Sequence, residues 1–168
     1  MIIWINGSFG VGKTTIAKKL ENKIAIKKTI IYDPEEIGGF LSNLFNHKED
    51  DFQDYELWRM FNYEILKYLN NEFEIIIVPM TITNIQYFDE IVSKLEKEGI
   101  NIKHFILVAT KENIIQRLNN RKNSTKWTYL QIDRCIDTFD SCILKGQIIN
   151  TNNKSINEVT NSIIKLLF

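Results

Sequence analysis

A short stretch near the start of the chain has the residue types and spacing that bind the phosphates of a nucleotide. Residues 7–15 read GSFGVGKTT and contain the Walker A pattern G-x-x-x-x-G-K-T. The glycines allow consecutive backbone N–H groups to turn around a phosphate, and the N-terminus of the next helix adds about half a positive charge there. Lys13 can then reach the β- and γ-phosphates, and the Thr14 hydroxyl can ligate Mg²⁺. The predicted site for ATP or GTP comprises Gly7, Ser8, Phe9, Gly10, Val11, Gly12, Lys13, Thr14 and Thr15. A glycine-rich turn without a ligand is the alternative.

Asp33 is a second candidate for chemistry, because it ends an apolar run and is followed by Pro34, which interrupts regular structure. A carboxylate there can accept the proton of an attacking hydroxyl, or contact Mg²⁺ through water. We therefore predict a catalytic and metal-binding role for Asp33. A purely structural role as the N-cap of a helix is the alternative.

A basic stretch follows the fourth apolar run. Arg117 and Arg121 are spaced i, i+4, so that both guanidinium groups can project from one helix face. Lys122 and Lys126 continue the charge toward Trp127. We predict that residues 117–130 form a lid that closes over the nucleotide. An exposed basic helix end, favoured by the helix dipole, is the alternative for Arg121.

The elements that would position these side chains alternate along the chain. Apolar runs at 2–6, 29–33, 73–79, 102–109 and 147–150 are predicted to be short buried strands. The segments between them have helical periodicity. Such alternation favours an α/β fold with a parallel sheet, helices on both faces, and ligands bound beyond the carboxyl ends of the strands.

Local signals place some of the helix ends. Thr83 with Gln86, and Ser155 with Glu158, have the spacing of capping boxes, and Gly99 stands where a helix should stop. We predict a single domain over residues 1–168, with a helical substrate-binding insertion at 34–72.

The insertion and nearby segments supply candidate residues for a second substrate. Trp58 and Arg59 adjoin core-facing positions, and an arginine beside aromatic rings suits a planar or anionic group. Asp33, Asn62 and Met80 are further members of this predicted substrate site. Simple packing is the alternative for Trp58.

One class of nucleotide protein is disfavoured. Motor and AAA-type ATPases usually carry an acidic residue at the end of an apolar strand. Here the run IIIV at 75–78 leads into Pro79, Met80 and Thr81, so the sequence has no such acid there.

Composition limits the partners and the compartment. Lysine and arginine together number 21, as do aspartate and glutamate, so no overall charge recruits nucleic acid or an anionic membrane. No apolar run approaches the ~18 residues of a membrane span, and the chain starts with a predicted strand. Cys135 and Cys142 lie in one helical pattern and are expected to be reduced thiols. We expect a cytoplasmic protein with a small-molecule substrate; the oligomeric state stays open.

Several stretches together resemble one known family. IIWINGSFGVGKTT at the N-terminus, YDPEEIG at 32–38, DDFQDYELWRMFNYEIL at 50–66, IVPMTI at 77–82, YFDEI at 87–91 and QIDRCID at 131–137 resemble the tunicamycin-resistance family of P-loop ATP-binding proteins. That family is related to nucleoside-monophosphate kinases and small-molecule kinases. The resemblance covers essentially the whole chain and implies a P-loop fold with five strands in order 2-3-1-4-5.

The resemblance also implies roles for individual residues. Arg117 would pack against the adenine or reach a phosphate, and Arg121 would neutralise charge as the γ-phosphoryl group leaves. Asn150 and Thr151 occupy the place where related kinases contact adenine, although an aspartate is more usual at the first position. Arg134 lies in the QIDRC motif and is a candidate phosphate ligand.

Three functions follow from these observations and stay open at this point. The first is an ATP-dependent kinase for a small hydroxyl-bearing molecule, such as the uracil-containing antibiotic tunicamycin, whose phosphorylation would confer resistance. The second is ATP-dependent binding that sequesters the antibiotic without chemistry. The third is a nucleotide or metabolite kinase in which Arg59 holds a phosphate or carboxylate.

Overall fold

The computed structural model describes residues 1–24, 27–122 and 124–168 of the chain. Within these residues, a parallel sheet of five strands has the order β2-β3-β1-β4-β5. The strands are β1 (Ile2–Gly7), β2 (Thr29–Ile31), β3 (Ile75–Pro79), β4 (Ile102–Val108) and β5 (Gln147–Asn150). This topology confirms the predicted fold class and strand order. Three strands are shorter than predicted. For β2 the reason is that Asp33 caps the next helix, for β3 it is that the preceding helix has its C-cap at Phe73, and β4 ends one residue early at Val108.

Helices cover both faces of this sheet. They are α1 (Lys13–Lys23), α2 (Pro34–Leu44), α3 (Glu56–Glu72), α4 (Ile85–Phe88), α5 (Lys94–Lys97), α6 (Lys111–Asn119), α7 (Lys126–Leu130), α8 (Ile132–Asp140) and α9 (Ile156–Leu167). A 3-10 turn at Phe52–Asp54 precedes α3, and a π-helical segment at Asp89–Ser93 joins α4 to α5. Of these helices, none is long and apolar enough to cross a membrane.

The two central strands β1 and β3 are apolar at nearly every position because both of their faces are buried. Ile2 and Trp4 of β1 belong to a core that includes α3 and the π-helical segment, whereas Ile3 and Ile5 pack in a second core with α1 and α9. Successive side chains on a strand point to opposite faces, so a strand covered on both sides reads as a continuous hydrophobic run. Burying an isoleucine of this kind contributes about 1.5–3 kcal/mol to stability.

Several local predictions can be compared directly with the structure. The capping box of Ser155 and Glu158 is confirmed at the start of α9, and Gly99 ends α5 with a φ of 87°. The predicted box of Thr83 and Gln86 is wrong. The side chain of Asn84 caps α4 instead, because its oxygen accepts hydrogen bonds from two backbone N–H groups of the first turn.

Two residues predicted to lie on helices lie beyond them. Arg121 follows α6, whose C-cap is Asn120, so the i, i+4 pair with Arg117 is not on one continuous helix. Cys142 lies past the end of α8 with a φ of 55°, and it is exposed, while Cys135 is buried within α8. Both cysteines are free thiols. The predicted lid, 117–130, comprises the end of α6, a turn and α7; its position 123 lies outside the described residues.

A buried hydrogen-bond network crosses the sheet at Asn6. Its Oδ1 accepts from the backbone N–H groups of Gly7 (2.9 Å) and Ile82 (3.0 Å), and its Nδ2 lies 3.3 Å from His104 Nε2. His104 Nδ1 lies 2.6 Å from the carbonyl oxygen of Lys145. A carbonyl only accepts, so Nδ1 carries the proton and Nε2 accepts from Asn6, which requires a neutral imidazole. Burial correspondingly lowers the pKa of His104.

This network predicts a loss of stability in mild acid. Unfolded histidine binds a proton near its ordinary pKa of about 6.5, whereas folded His104 does so at lower pH. The stability that the neutral ring contributes is therefore fully present above pH 6.5 and is lost as the pH falls toward the folded pKa. Thermal unfolding between pH 7.5 and 5.5 should show a smaller fall in Tm for His104→Gln than for the wild type. His47→Gln, at an exposed histidine, should match the wild type; parallel curves for all three proteins would contradict the expectation.

Candidate functional site

The loop between β1 and α1 has a backbone that only glycine accommodates well. Gly10 and Gly12 have φ values of 78° and 107°, in the left-handed region. A Cβ at Gly7, whose φ is 140°, would lie 2.5 Å from the carbonyl oxygen of Leu107 on the neighbouring strand. The loop is therefore folded tightly against β4, and Gly12 directs the N-terminus of α1 into it.

Lys13 is held inside this loop. Its side chain is buried, and Nζ donates to the carbonyl oxygens of Gly7 and Ser8, each at 3.1 Å. Burial lowers the pKa of Lys13 to about 8. The Ser8 hydroxyl is also buried and has no hydrogen-bond partner among the described residues. A bound phosphate would give this ammonium group a better partner than two neutral carbonyls.

The segment after β3 is hydrogen-bonded to β1 at the start of the phosphate loop. Trp4 Nε1 donates to the carbonyl oxygen of Met80 (3.1 Å), and Thr81 Oγ1 donates to the carbonyl oxygen of Gly7 (2.8 Å). Thr81 thus stands beyond the end of β3, close to where other P-loop proteins carry an acid, and its hydroxyl bonds to the phosphate loop itself.

A cleft of about 750 Å³ opens above the loop and joins it to the insertion and the lid. Seven of the nine predicted phosphate-loop residues line it, all except Gly7 and Ser8, which lie below the surface. Four other residues that the sequence analysis selected also line the cleft: Arg117, Arg121, Thr151 and Met80. The structure therefore brings the loop and the lid together around one space.

Arg117 connects the phosphate loop to the segment after β5. Its guanidinium donates to the carbonyl oxygen of Val11 (3.2 Å), the hydroxyl of Thr151 (2.9 Å) and the carbonyl oxygen of Thr151 (2.8 Å). Asn150 does not line the cleft; its Oδ1 accepts from the backbone N–H of Asn152 and so shapes the loop before α9. Arg121 is exposed and lines the cleft.

Three polar residues of the insertion that the sequence analysis did not select also line the cleft, and we call them the wall: Glu35, Asp51 and Gln53. Glu35 is exposed at the mouth, yet loss of solvent around its carboxyl and the charge of Asp33 raise the pKa of Glu35. Burial also raises the pKa of Asp51, whose side chain is only 14% exposed. Asp51 and Gln53 lie in the DDFQ motif at 50–53, and this motif is the sequence feature that could have identified them.

Asp33 lies next to the cleft without lining it. Its Oδ1 accepts from the backbone N–H of Glu35 at 3.0 Å, which is the N-cap role that the sequence left as the alternative. Asp33 still contributes charge to the site, because it acts on the pKa values of both Lys13 and Glu35.

Arg59, Trp58 and Asn62 lie behind the wall and are not among the residues that line the cleft. The Arg59 guanidinium pairs with Glu90 and donates to the carbonyl oxygen of Gln53 at 2.6 Å. Trp58 Nε1 donates to the carbonyl oxygen of Pro34, and Asn62 Nδ2 donates to the carbonyl oxygen of Trp58. The polar groups of these three side chains bond to other protein atoms, both within the insertion and, for Arg59, to Glu90 after β3.

Arg134 reaches the same wall from α8. Its Nη2 lies 3.5 Å from Asp51 Oδ2, and its side chain is 45% exposed. The pair connects the segment after the lid to the insertion, at the rim of the cleft.

The side chains near the loop fit Mg²⁺ only as part of a complex with phosphates. The described residues contain no group of three or more histidine, cysteine or acidic side chains that could hold a metal ion. Thr14 is exposed in the cleft at the start of α1, where its hydroxyl can serve as one ligand. The remaining ligands would be phosphate oxygens and water, which is the usual arrangement for Mg²⁺.

Comparison with known proteins shows what this chain is similar to. Cytidine diphosphoramidate kinase from Campylobacter jejuni is 29% identical over 171 residues, which cover 99% of this chain and 95% of the relative. The tunicamycin resistance protein of Deinococcus radiodurans has a similar structure, with a TM-score of 0.78, 26% identity, and coverage of 99% of this chain and 94% of that chain. These findings confirm the resemblance to the tunicamycin-resistance family.

A more distant structure and a family model complete the comparison. A gluconokinase from Sinorhizobium meliloti 1021 has a TM-score of 0.67 at 12% identity, covers 97% of this chain and 89% of its own, and supports the fold alone. The family model described as "AAA domain" matches residues 2–141. Since that match spans most of the chain, including the phosphate loop, the insertion and the lid, the protein belongs to the AAA-domain family.

Proposed function

We propose that the protein is an ATP-dependent phosphotransferase that acts on a small molecule. One observation carries this proposal: the loop that holds Lys13 and the wall of polar side chains from the insertion line the same cleft. Phosphoryl transfer requires such an arrangement, since the donor and the acceptor must meet in line with water kept out. The full-length similarity to a kinase supports the same conclusion.

The nucleotide would occupy the half of the cleft between the phosphate loop and the loop before α9. Backbone N–H groups of the loop and the Lys13 ammonium would bind the phosphates, while Arg117 and Thr151 would bound the adenine end. Thr14 would hold Mg²⁺, with Asp33 near enough to act through water, and the ion would neutralise charge on the β- and γ-phosphates.

The acceptor would occupy the half bounded by the polar wall. Glu35 lines that wall and shares the electrostatic field of Lys13 and Arg121, so it is placed to orient the attacking hydroxyl. Asp33 would support Glu35 from behind as the cap of α2. Arg121 would neutralise the charge of the transferred group from the lid side.

Two relatives suggest acceptors that contain a pyrimidine nucleoside. One is named for cytidine diphosphoramidate and the other for resistance to tunicamycin, a uracil-containing antibiotic. The alternative in which Arg59 binds an acceptor phosphate has little support, because Arg59 already bonds to Glu90 and to the wall itself.

The direct test is phosphoryl transfer to these two compounds. Purified protein with ATP and Mg²⁺ should release ADP, and should add the mass of one phosphoryl group to cytidine diphosphoramidate or to tunicamycin. Lys13→Ala should lower the rate by about 10²–10³-fold, because an electrostatic contact to the transferred group is lost. ATP-dependent binding of tunicamycin without a change in its mass would support sequestration instead, and near-normal turnover by Lys13→Ala would refute the assignment.

The lowered pKa of Lys13 predicts proton uptake when ATP binds. At pH 8.5 much of the lysine is neutral, and the phosphates favour its charged form, so binding should take up roughly half a proton or more. At pH 7 the uptake should be close to zero. Calorimetry with Mg-ATP in two buffers of different ionisation enthalpy measures this directly. Lys13→Met should show no such difference between the two pH values; if it behaves like the wild type, another group takes up the proton.

The geometry also predicts that Glu35 contributes more to turnover than Asp33 does. Glu35→Gln should lower kcat by about 10²-fold or more, with little change in the KM for ATP, because the group that orients the acceptor is lost. Asp33→Asn should have a smaller effect, since asparagine is an equally good N-cap. Glu36→Gln, at an exposed residue outside the cleft lining, is the matched control. A larger fall in kcat for Asp33→Asn than for Glu35→Gln would instead indicate that Asp33 is the group that orients the acceptor.

A further inference from the structure

The side-chain amide of Gln53 has a fixed orientation. The residue is only 6% exposed and lines the cleft, and its Nε2 donates to the carbonyl oxygen of Thr81 at 2.9 Å. A carbonyl oxygen only accepts hydrogen bonds, so the nitrogen of the amide must face Thr81 and the oxygen must face away. Gln53 Oε1 forms no hydrogen bond within residues 1–24, 27–122 and 124–168, and it is not sealed from solvent. It is therefore available to a ligand in the cleft.

The turn that carries Gln53 is held rigidly from two sides. Arg59 Nη1 donates to the carbonyl oxygens of Gln53 (2.6 Å) and Asp54 (3.1 Å). On the other side the Phe52 ring packs on Gly38, where a Cβ would lie 2.5 Å from the ring. A wall fixed in this way keeps its polar groups in place before a ligand arrives, which lowers the entropy cost of binding.

Asp51 places further acceptor atoms beside Gln53. Its Oδ1 accepts from the backbone N–H of Gln53 at 3.0 Å, and its Oδ2 lies 3.5 Å from Arg134 Nη2, beyond the usual range of a strong charge-assisted bond. Asp51 Oδ2 and Gln53 Oε1 are both hydrogen-bond acceptors on the same lining of the cleft. A ligand group that matches them must donate hydrogen bonds.

We propose that Asp51 and Gln53 determine the specificity of the acceptor site by recognising the amino group of a cytosine-type pyrimidine and rejecting uracil. This inference rests on the proposed function, which puts the acceptor in this half of the cleft. An exocyclic amino group supplies two N–H donors, and a carboxylate is a suitable partner for the amino group of cytosine. Uracil carries a carbonyl oxygen at that position, so the ligand and both protein oxygens would be left without partners, at a cost in affinity. Phe52, between the two residues, adds an aromatic edge to the same wall.

The experiment measures nucleoside binding without turnover. Cytidine and uridine are titrated by calorimetry into the full chain saturated with Mg²⁺ and a non-hydrolysable ATP analogue. The wild type should bind cytidine about tenfold or more tightly than uridine, the effect expected when uracil leaves these polar groups unpaired. Gln53→Met should reduce this preference to about twofold or less. Gln116→Met, on the exposed surface of α6, is the matched control and should retain it.

A second variant tests the direction of the hydrogen bonds. Asp51→Asn keeps an oxygen that can accept from the Gln53 N–H, but it replaces the other oxygen by an N–H donor, so the preference should shift toward uridine. Equal binding of cytidine and uridine by the wild type overturns the proposal, even if Gln53→Met weakens both, because sugar hydroxyls would then be the donors. Failure of the wild type to bind cytidine at millimolar concentrations also overturns it.

These outcomes are separate from those of the proposed function. Binding is measured without hydrolysis, so a preference for cytidine can be present in a protein that transfers no phosphate. Conversely, phosphoryl transfer to tunicamycin, with equal binding of cytidine and uridine, would support the kinase and refute the specificity assigned to Asp51 and Gln53.

Discussion

The carbonyl oxygen of Gly7 is the point on which the site depends. It accepts one hydrogen bond from Lys13 Nζ and another from Thr81 Oγ1, so it joins the phosphate loop to the segment after β3. Thr81 reaches it because β1 and β3 are paired in register, in the parallel ladder from Ile2 and Ile76 onward. The buried amide of Asn6 fixes the same junction from the other side of the strand. The packing of the sheet therefore also determines the geometry of the loop.

The same junction connects the two halves of the cleft. Thr81 donates through its hydroxyl to the phosphate loop and accepts through its carbonyl oxygen from Gln53, which belongs to the wall of the insertion. Arg59, buried behind that wall, fixes the backbone of Gln53 in turn. Three consecutive hydrogen bonds thus run from the insertion to the loop that holds Lys13. In the proposed kinase, these bonds would fix the position of the wall relative to the phosphate loop, as phosphoryl transfer between two bound molecules requires.

The sequence predicts the parts of the fold that depend on local patterns, and it misses those that depend on distant contacts. The Walker A loop and the alternation of strands and helices are local signals, and the structure confirms the fold that they predict, in the strand order that the family resemblance implies. Arg59 and Trp58 look like ligand residues in sequence because arginine and tryptophan are common in binding sites. Their actual partners, Glu90 and Pro34, lie 31 and 24 residues away along the chain, and no local pattern reveals them. Glu35 was overlooked beside Asp33 because only the capped backbone shows which carboxylate faces the cleft.

The location of negative charge separates this site from that of a mechanical ATPase, although the family is described as an AAA domain. In a P-loop ATPase, an acid at the end of the central strand holds Mg²⁺ or orients the attacking water. Here Thr81 lies beyond β3 and its hydroxyl is used internally, while the carboxylates near Lys13 come from the start of α2. Glu35 lies on the side of the cleft that the insertion itself forms. In the proposed function, an acid on this side would orient a hydroxyl of a bound molecule, so that the phosphoryl group would pass to that acceptor instead of to water.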